Sequence, residues 1–379
     1  MAGIYIHIPF CKKKCHYCNF YSIPSTKHKD DLIRALHREL ILQKRYPGES
    51  ISTIYFGGGT PSLLSMDEIK RLTDTVYTNY QIEKIPEITL EVNPDDISIQ
   101  KVKELKTTPI NRISIGVQSF FQQDLNYLNR IHDTEQAEYA VKALQDAGFE
   151  NMSIDLIYGI PSLGQEHWRK NLLKAVDMQV PHISAYAITV EPNTNLDVLI
   201  RHEKLQPVSE AETAQQFRFV MGFLREKNYL HYEISNFCLP GFESKHNKSY
   251  WENIPYLGIG PSAHSFNMVS RQWNCSNLTE YMAAISDNKI PYETEILTIN
   301  QKYNEYVMMS FRTSRGVSFQ QLKDLFGDAY LAYFRNTLKH YENSDRLVLS
   351  NDIISLTDEG KLFADSIIAD FFIVDSERE

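Results

Sequence analysis

Three cysteines fall within eight residues, Cys11-Lys-Lys-Lys-Cys15-His-Tyr-Cys18, and only Cys238 and Cys275 lie elsewhere. The spacing is too tight for a disulfide framework and reads as reduced thiols serving a metal. Soft thiolates select zinc, copper(I) or iron–sulfur clusters. A structural zinc site wants a fourth ligand, and His16 sits between two cysteines, where simultaneous ligation is awkward. A four-iron cluster takes one protein ligand per iron. Three cysteines leave one iron open, and an open metal position is where chemistry happens.

Such a loop needs rigid elements to hold it. It follows an alternating segment, Ile4-Tyr5-Ile6-His7-Ile8, closed by Pro9 and Phe10. Apolar residues at Leu32, Ile33, Leu36, Leu40 and Ile41 have helical spacing within 26–46. Thr53-Ile-Tyr-Phe56 reads as a strand ending in Gly57-Gly-Gly-Thr60, and Ser65 with Glu68 forms a capping box for the next helix. Strands at 88–92, 112–119, 152–159 and 182–189 alternate with helices near 98–106, 134–147, after Gly164 and at 208–227. Six strand–helix repeats predict a parallel sheet, with strands apolar enough for burial on both faces. Polar residues collect at the strand ends: the cysteines, Gly58 to Thr60, Glu91, Gln118 and Asp155. Their spread over five strands favours an α/β partial (β/α)6 TIM-like barrel, whose strand ends share one mouth, over a doubly wound sheet.

The pattern changes near residue 300. Helical stretches near 300–310, 317–326 and 328–341 precede a hairpin within Arg346–Thr357 and a last helix from Asp358. This resembles a winged helix. The expected organisation is a barrel core over 1–237, a barrel-closing segment over 238–299, and a mostly helical, winged-helix-like domain over 300–379.

The totals restrict the function. The 379 residues hold 39 Lys and Arg against 48 Asp and Glu, a net charge of −9, with no strongly basic tract. Nucleic acid is not an expected partner. No run reaches the ~18 apolar residues of a membrane span, and the start lacks a signal-peptide pattern. A cytoplasmic protein is expected.

Cys11-x3-Cys15-x-Tyr17-Cys18 resembles the signature of radical S-adenosylmethionine (SAM) proteins. With Tyr5-Ile-His7-Ile-Pro-Phe-Cys11, Gly57-Gly-Gly-Thr-Pro61, Gly116-Val-Gln-Ser-Phe120 and Asp155-Leu-Ile-Tyr-Gly159, essentially the whole chain resembles the oxygen-independent coproporphyrinogen III oxidase-like family. The resemblance implies a [4Fe-4S] cluster on Cys11, Cys15 and Cys18, with SAM chelating the open iron and an external reductant supplying an electron. It implies that Tyr5 and Tyr17 flank the cluster loop, and that Gly58, Gly59 and Thr60 let backbone amides approach SAM closely. It further implies that Glu91 holds a hydroxyl or ammonium group, and that Gln118, Arg130 and Asp155 line a site for a second SAM. Gly258-Ile-Gly-Pro-Ser-Ala-His264 resembles the last barrel loop near SAM. Its Gly258-x-Gly260-x-x-Ala263 spacing also fits a relaxed dinucleotide fingerprint, but lacks the βαβ context that fingerprint needs.

Two features divide the family. The oxidase has a longer N-terminal arm and a fourth cysteine two residues after the third, where this chain has Phe20. His246-Asn-Lys-Ser-Tyr250-Trp251 resembles the H-N-x-x-Y-W motif of the haem-chaperone branch. That branch implies haem as a third cofactor, with His246 as an iron ligand and Tyr250 and Trp251 as flat surfaces for the porphyrin. It also implies a haem-recipient protein, with the membrane as one place of delivery. The alternative is radical decarboxylation of coproporphyrinogen III to protoporphyrinogen IX.

Overall fold

The computed structural model describes residues 1–162 and 164–374. Six strands run parallel in chain order: β1 (Ala2–Ile8), β2 (Ile51–Gly58), β3 (Ile82–Val92), β4 (Arg112–Gln118), β5 (Met152–Tyr158) and β6 (His182–Ala187). The crossovers carry α1 (Lys29–Leu42), α2 (Met66–Asn79), α3 (Ile99–Leu105), α4 (Gln122–Leu128), α5 (Thr134–Asp146) and α6 (Gln165–Asp177). After β6 come α7 (Asn195–Arg201) and α8 (Glu210–Glu226). Ser65 and Glu68 close the expected capping box at α2. Each of the six strands pairs with the next, so their order never reverses. A doubly wound sheet reverses at its switch point; the uninterrupted order belongs to the barrel class.

The six strands differ from the expectation in one respect. They alternate rather than being apolar on both faces. Ile4, Ile6 and Ile8 of β1, Ile88, Leu90 and Val92 of β3, and Ile113, Ile115 and Val117 of β4 enter the main apolar core. The intervening residues lie on the other face of the pleat. They are Tyr5 and His7, then Glu87, Thr89 and Glu91, then Arg112, Ser114 and Gly116. That polar face surrounds a cavity and its floor, so it gains nothing from apolar side chains.

The parallel set is extended at both edges. Beyond β6 lie the antiparallel β7 (Leu230–Glu233) and β8 (Asn236–Cys238), followed by the short helix α9 (Lys245–Trp251). On the other edge β9 (Tyr256–Ile259) runs parallel to β1, and β10 (His264–Phe266), β11 (Ser270–Asn274) and β12 (Tyr292–Ile296) continue antiparallel, with α10 (Leu278–Ser286) preceding β12. These described strands form one sheet of order 12-11-10-9-1-2-3-4-5-6-8-7.

The C-terminal region has its own core. Helices Ile299–Phe311, Phe319–Phe326 and Asp328–Leu338 pack with a small antiparallel sheet made from Val317–Ser318, Leu347–Ser350 and Ile353–Leu356. The expected hairpin is therefore present. Phe311, Phe334 and Phe371 meet in this core, with the Phe334 and Phe371 rings 4.5 Å apart. Arg218 and Arg225 of α8 form ion pairs with Glu359 and Asp358, fastening the region to the barrel.

Candidate functional site

A cavity of about 470 Å³ opens at the C-terminal ends of the parallel strands. The loop after β1 brings Cys11, Cys15, Cys18 and Tyr17 to its wall; the turn after β2 brings Gly58, Gly59 and Thr60. Glu91 from β3, Gln118 from β4, Asp155 from β5, and Arg130 from the segment after α4 complete the expected set. Eleven of the residues singled out from sequence thus share one wall, although they span almost 150 positions of the chain.

The cysteine loop is tied down on two sides. Lys12 donates to Asp95 at 2.7 Å and also pairs with Asp96, fixing the loop to the turn after β3. Arg130 donates from Nη1 to Cys15 Sγ at 3.3 Å, and from Nη2 to Asn93 Oδ1 at 2.6 Å and the Gly116 carbonyl at 2.9 Å. Asn93 in turn donates to Thr60 Oγ1 at 3.1 Å, and Thr60 donates to Cys11 Sγ at 3.5 Å. One network therefore runs from β4 through Asn93 to the thiols. Asn93 was missed as a site residue, although its place at a strand end before Pro94 is the signal that marks the others.

The donor set fits a cluster better than a single ion. All three cysteines are free. Among the described residues no three His, Cys, Asp or Glu converge on a point that one metal ion would occupy. Thiolates that each serve a different iron have no need to converge. His16 points its Nδ1 at the Tyr127 carbonyl, 3.0 Å away, which removes it as a zinc ligand through that nitrogen. Burial pushes the Cys11 and Cys18 thiols above their ordinary range, so ligation has to drive off their protons. The glycine turn leaves room beside the thiols. A methyl group on Gly59 would lie 2.7 Å from the Phe10 carbonyl and 3.0 Å from Cys11 Sγ, while Gly58 takes a φ of 116°.

Deeper in the cavity are two carboxylates. Glu91 accepts from Tyr55 Oη at 2.8 Å and from the Gly58 amide at 3.2 Å. Burial pushes its pKa up to about 7, partly offset by the Tyr55 hydrogen bond. Burial likewise raises Asp155 to about 6, with Ser184 and Arg112 acting the other way. Gln118 is held in the left-handed region at φ 67°, beside a register shift between β4 and β5. Sparsely populated backbone of this kind concentrates at functional sites.

Two of the residues expected beside SAM are placed elsewhere. Tyr5 is not among the residues lining the cavity. Its ring stacks on Tyr55, and its hydroxyl lies 3.1 Å from His7 Nδ1. His264 also lies off the cavity, stacked on Trp273 in the antiparallel extension. Gly258 and Gly260 shape that turn for packing rather than for a dinucleotide: Glu39 of α1 accepts from the Gly260 amide at 2.8 Å.

The H-N-x-x-Y-W motif is α9, and its residues divide between two environments. His246 is 1 % exposed. Its Nδ1 lies 2.7 Å from Thr53 Oγ1 and its Nε2 lies 2.9 Å from Tyr250 Oη. Both ring nitrogens are engaged, Nδ1 with Thr53 and Nε2 with Tyr250. Burial lowers its pKa to about 3 and keeps it neutral. Tyr250 turns inward with it, whereas Trp251 lines a separate cleft of about 250 Å³, together with Lys248 and Arg315, against the C-terminal region.

This architecture, with its thiol loop and glycine turn, has recognisable relatives. The Radical SAM superfamily matches residues 5–175, and the HemN C-terminal domain matches residues 297–363. The chain is similar to the haem chaperone HemW of Bacillus subtilis, at 32 % identity over 98 % of this chain and 99 % of the relative. It is similar to HemW of Lactococcus lactis at 33 % identity, over 98 % and 97 %. The structure of coproporphyrinogen III oxidase (HemN) from Escherichia coli superposes with a TM-score of 0.84 over 98 % of this chain and 90 % of that one, at 23 % identity. The chain belongs to the HemW branch of the HemN-like radical SAM family. Among the described residues no helix is long and apolar enough to cross a membrane.

Proposed function

We propose that this protein is a haem chaperone: it holds a [4Fe-4S] cluster and SAM in the barrel cavity, binds haem, and delivers it to haem-requiring proteins, respiratory ones included. The observation that carries the reading is the match, over nearly the full length of both chains, to relatives named as haem chaperones. In this reading Cys11, Cys15 and Cys18 ligate three irons. Gly58 to Thr60 would cradle the amino-acid end of SAM beside the open iron, and Glu91 would accept from one of its hydroxyl or ammonium groups. The cluster supplies one-electron chemistry when bound; the chain's own residues orient the ligand and set the charge around it. Gln118, Arg130 and Asp155 face any second molecule in the cavity. Trp251 carries the haem contact, because it is the aromatic residue of the motif that lines a cleft.

The test uses anaerobically reconstituted protein. Iron content near four per chain, saturable SAM binding, and a Soret band that saturates with haem and transfers to an apo haem protein fit the proposal. Absence of saturable haem binding, or conversion of coproporphyrinogen III to protoporphyrinogen IX alongside a working control, would overturn it in favour of no haem role or of the oxidase.

A further inference from the structure

The residues beneath Glu91 form a seat that neither cluster chemistry nor haem ligation accounts for. Tyr55 donates to Glu91 at 2.8 Å, and its ring lies over that of His246, with centroids 5.0 Å apart and planes 26° apart. His246 is fixed in turn by Thr53 of β2 and by Tyr250 of its own helix. Glu87, on the same face of β3 as Glu91, accepts from the backbone amides of Lys245 and His246 at 3.1 and 3.0 Å, capping the start of α9. Even β1 is shaped to this ring: a methyl group on Gly3 would lie 2.8 Å from Thr53 Oγ1 and 3.2 Å from His246 Cε1. Four elements thus converge on an imidazole that is buried, neutral and fully hydrogen-bonded.

We infer that His246 and Tyr55 are positioning residues of the cavity: together they hold the Glu91 carboxylate from below, so that α9 acts on whatever Glu91 binds. The link to SAM rests on the proposed reading of the cavity; the link to Glu91 does not. A phenol packed on a side chain that hydrogen bonds hold in place can aim its hydroxyl at one carboxylate oxygen only while that side chain stays where it is. The Tyr55 hydroxyl favours the ionised carboxylate, against the burial that opposes it. The other groups acting on Glu91 are Tyr5 from β1, the Gly58 amide from β2, Asp155 from β5, Tyr186 from β6 and Tyr250 from α9. Arg112 and Arg130 reach it indirectly, through Asp155. The Gly58 amide donates to the other carboxylate oxygen, Oε2, so it does not replace Tyr55 on Oε1.

The experiment follows the Glu91 carboxyl directly, by infrared difference spectroscopy against Glu91→Gln across pH 5 to 9, in the full-length protein without SAM. Tyr55→Phe keeps the ring and its stack and removes only the hydroxyl. His246→Leu removes both hydrogen bonds of the seat, and His246→Gln retains an amide for them. The inference expects the Glu91 midpoint to rise in Tyr55→Phe and His246→Leu, and to return toward wild type in His246→Gln. SAM binding by equilibrium dialysis should then weaken in Tyr55→Phe near pH 7, by about fivefold for the first unit of midpoint shift and toward tenfold for each further unit, and recover above pH 9. Haem titration of His246→Gln should overlay the wild-type curve. Unchanged Glu91 midpoints would overturn the inference, as would loss of haem binding in His246→Gln with Glu91 unmoved. A wild-type protein that takes up no SAM while the midpoints shift as expected would overturn the reading of the cavity and leave the positioning role standing.

Discussion

Arg130 places Nη1 3.3 Å from Cys15 Sγ, and through Nη2 it also holds Asn93 and the Gly116 carbonyl. One cation therefore joins the cysteine loop to strands β3 and β4. Hydrogen bonds that involve a charged group contribute about 1.5–3 kcal/mol each. Arg130→Gln keeps much of the volume but loses the charge and the fork. Its apo form should be destabilised by about 1–3 kcal/mol in urea titrations, and its iron content after reconstitution should fall well below wild type. Wild-type iron content in this variant would remove Arg130 from the site.

The glycine turn gives a second prediction, based on space. Gly59→Ala places a methyl group 2.7 Å from the backbone carbonyl of Phe10 and 3.0 Å from Cys11 Sγ. Backbone cannot swing aside as a flexible side chain can, so the loop carrying Cys11 has to shift. Overpacking of this kind costs about 1–3 kcal/mol, and here the displaced atom is one of the proposed cluster ligands. Thermal melts should show the destabilisation, and absorbance near the iron–sulfur band should show reduced cluster assembly. Gly164→Ala, where a methyl group meets nothing within 4 Å, serves as the control and should match wild type in both measurements.

The cysteines and Phe20 make a paired prediction. Phe20 is 66 % exposed at the rim of the cavity, where the oxidase resemblance would put a fourth cysteine. Replacing any one of Cys11, Cys15 or Cys18 by Ser should reduce bound iron from about four per chain to a small fraction of that. Phe20→Ala removes a side chain that is mostly in water, so bound iron should stay at the wild-type level. Iron and sulfide analysis of the four variants, prepared together, checks the contrast.

The strand–helix alternation, the cysteine loop and the Ser65–Glu68 cap were readable in the sequence because each is local: periodicity, spacing and capping need only a few neighbouring residues. The edges of the sheet were not, because strands such as Asn236–Cys238 and His264–Phe266 are three residues long. A run that short carries no period. The burial of His246 was also unreadable, since its partner Thr53 lies 193 positions away. The polar face of the six parallel strands was visible in the alternation of β1, but its meaning depended on knowing that the other face met helices. His264 was placed at the site by resemblance, and its position on a strand beyond β9 carried it away.

Glu39 supports the strongest pH prediction. This carboxylate, on α1, is fully buried. It accepts from the Gly260 amide at 2.8 Å, from Asn274 Nδ2 at 2.6 Å and from the Tyr281 hydroxyl. It thereby clamps the turn after β9, the strand β11 and helix α10 onto α1. Burial outweighs these donors and raises its pKa from 4.5 to about 7. The folded protein therefore holds a proton at Glu39 that the unfolded chain releases at lower pH. The stability this proton contributes is complete below the unfolded value and is lost as pH rises through the folded one. Between pH 5 and 8 wild-type stability should accordingly fall by an amount on the order of 1–3 kcal/mol from this group. Glu39→Gln has no proton to lose, so its urea midpoint should change less over the same interval. Parallel pH dependences in the two proteins would show that the donors, not burial, control Glu39.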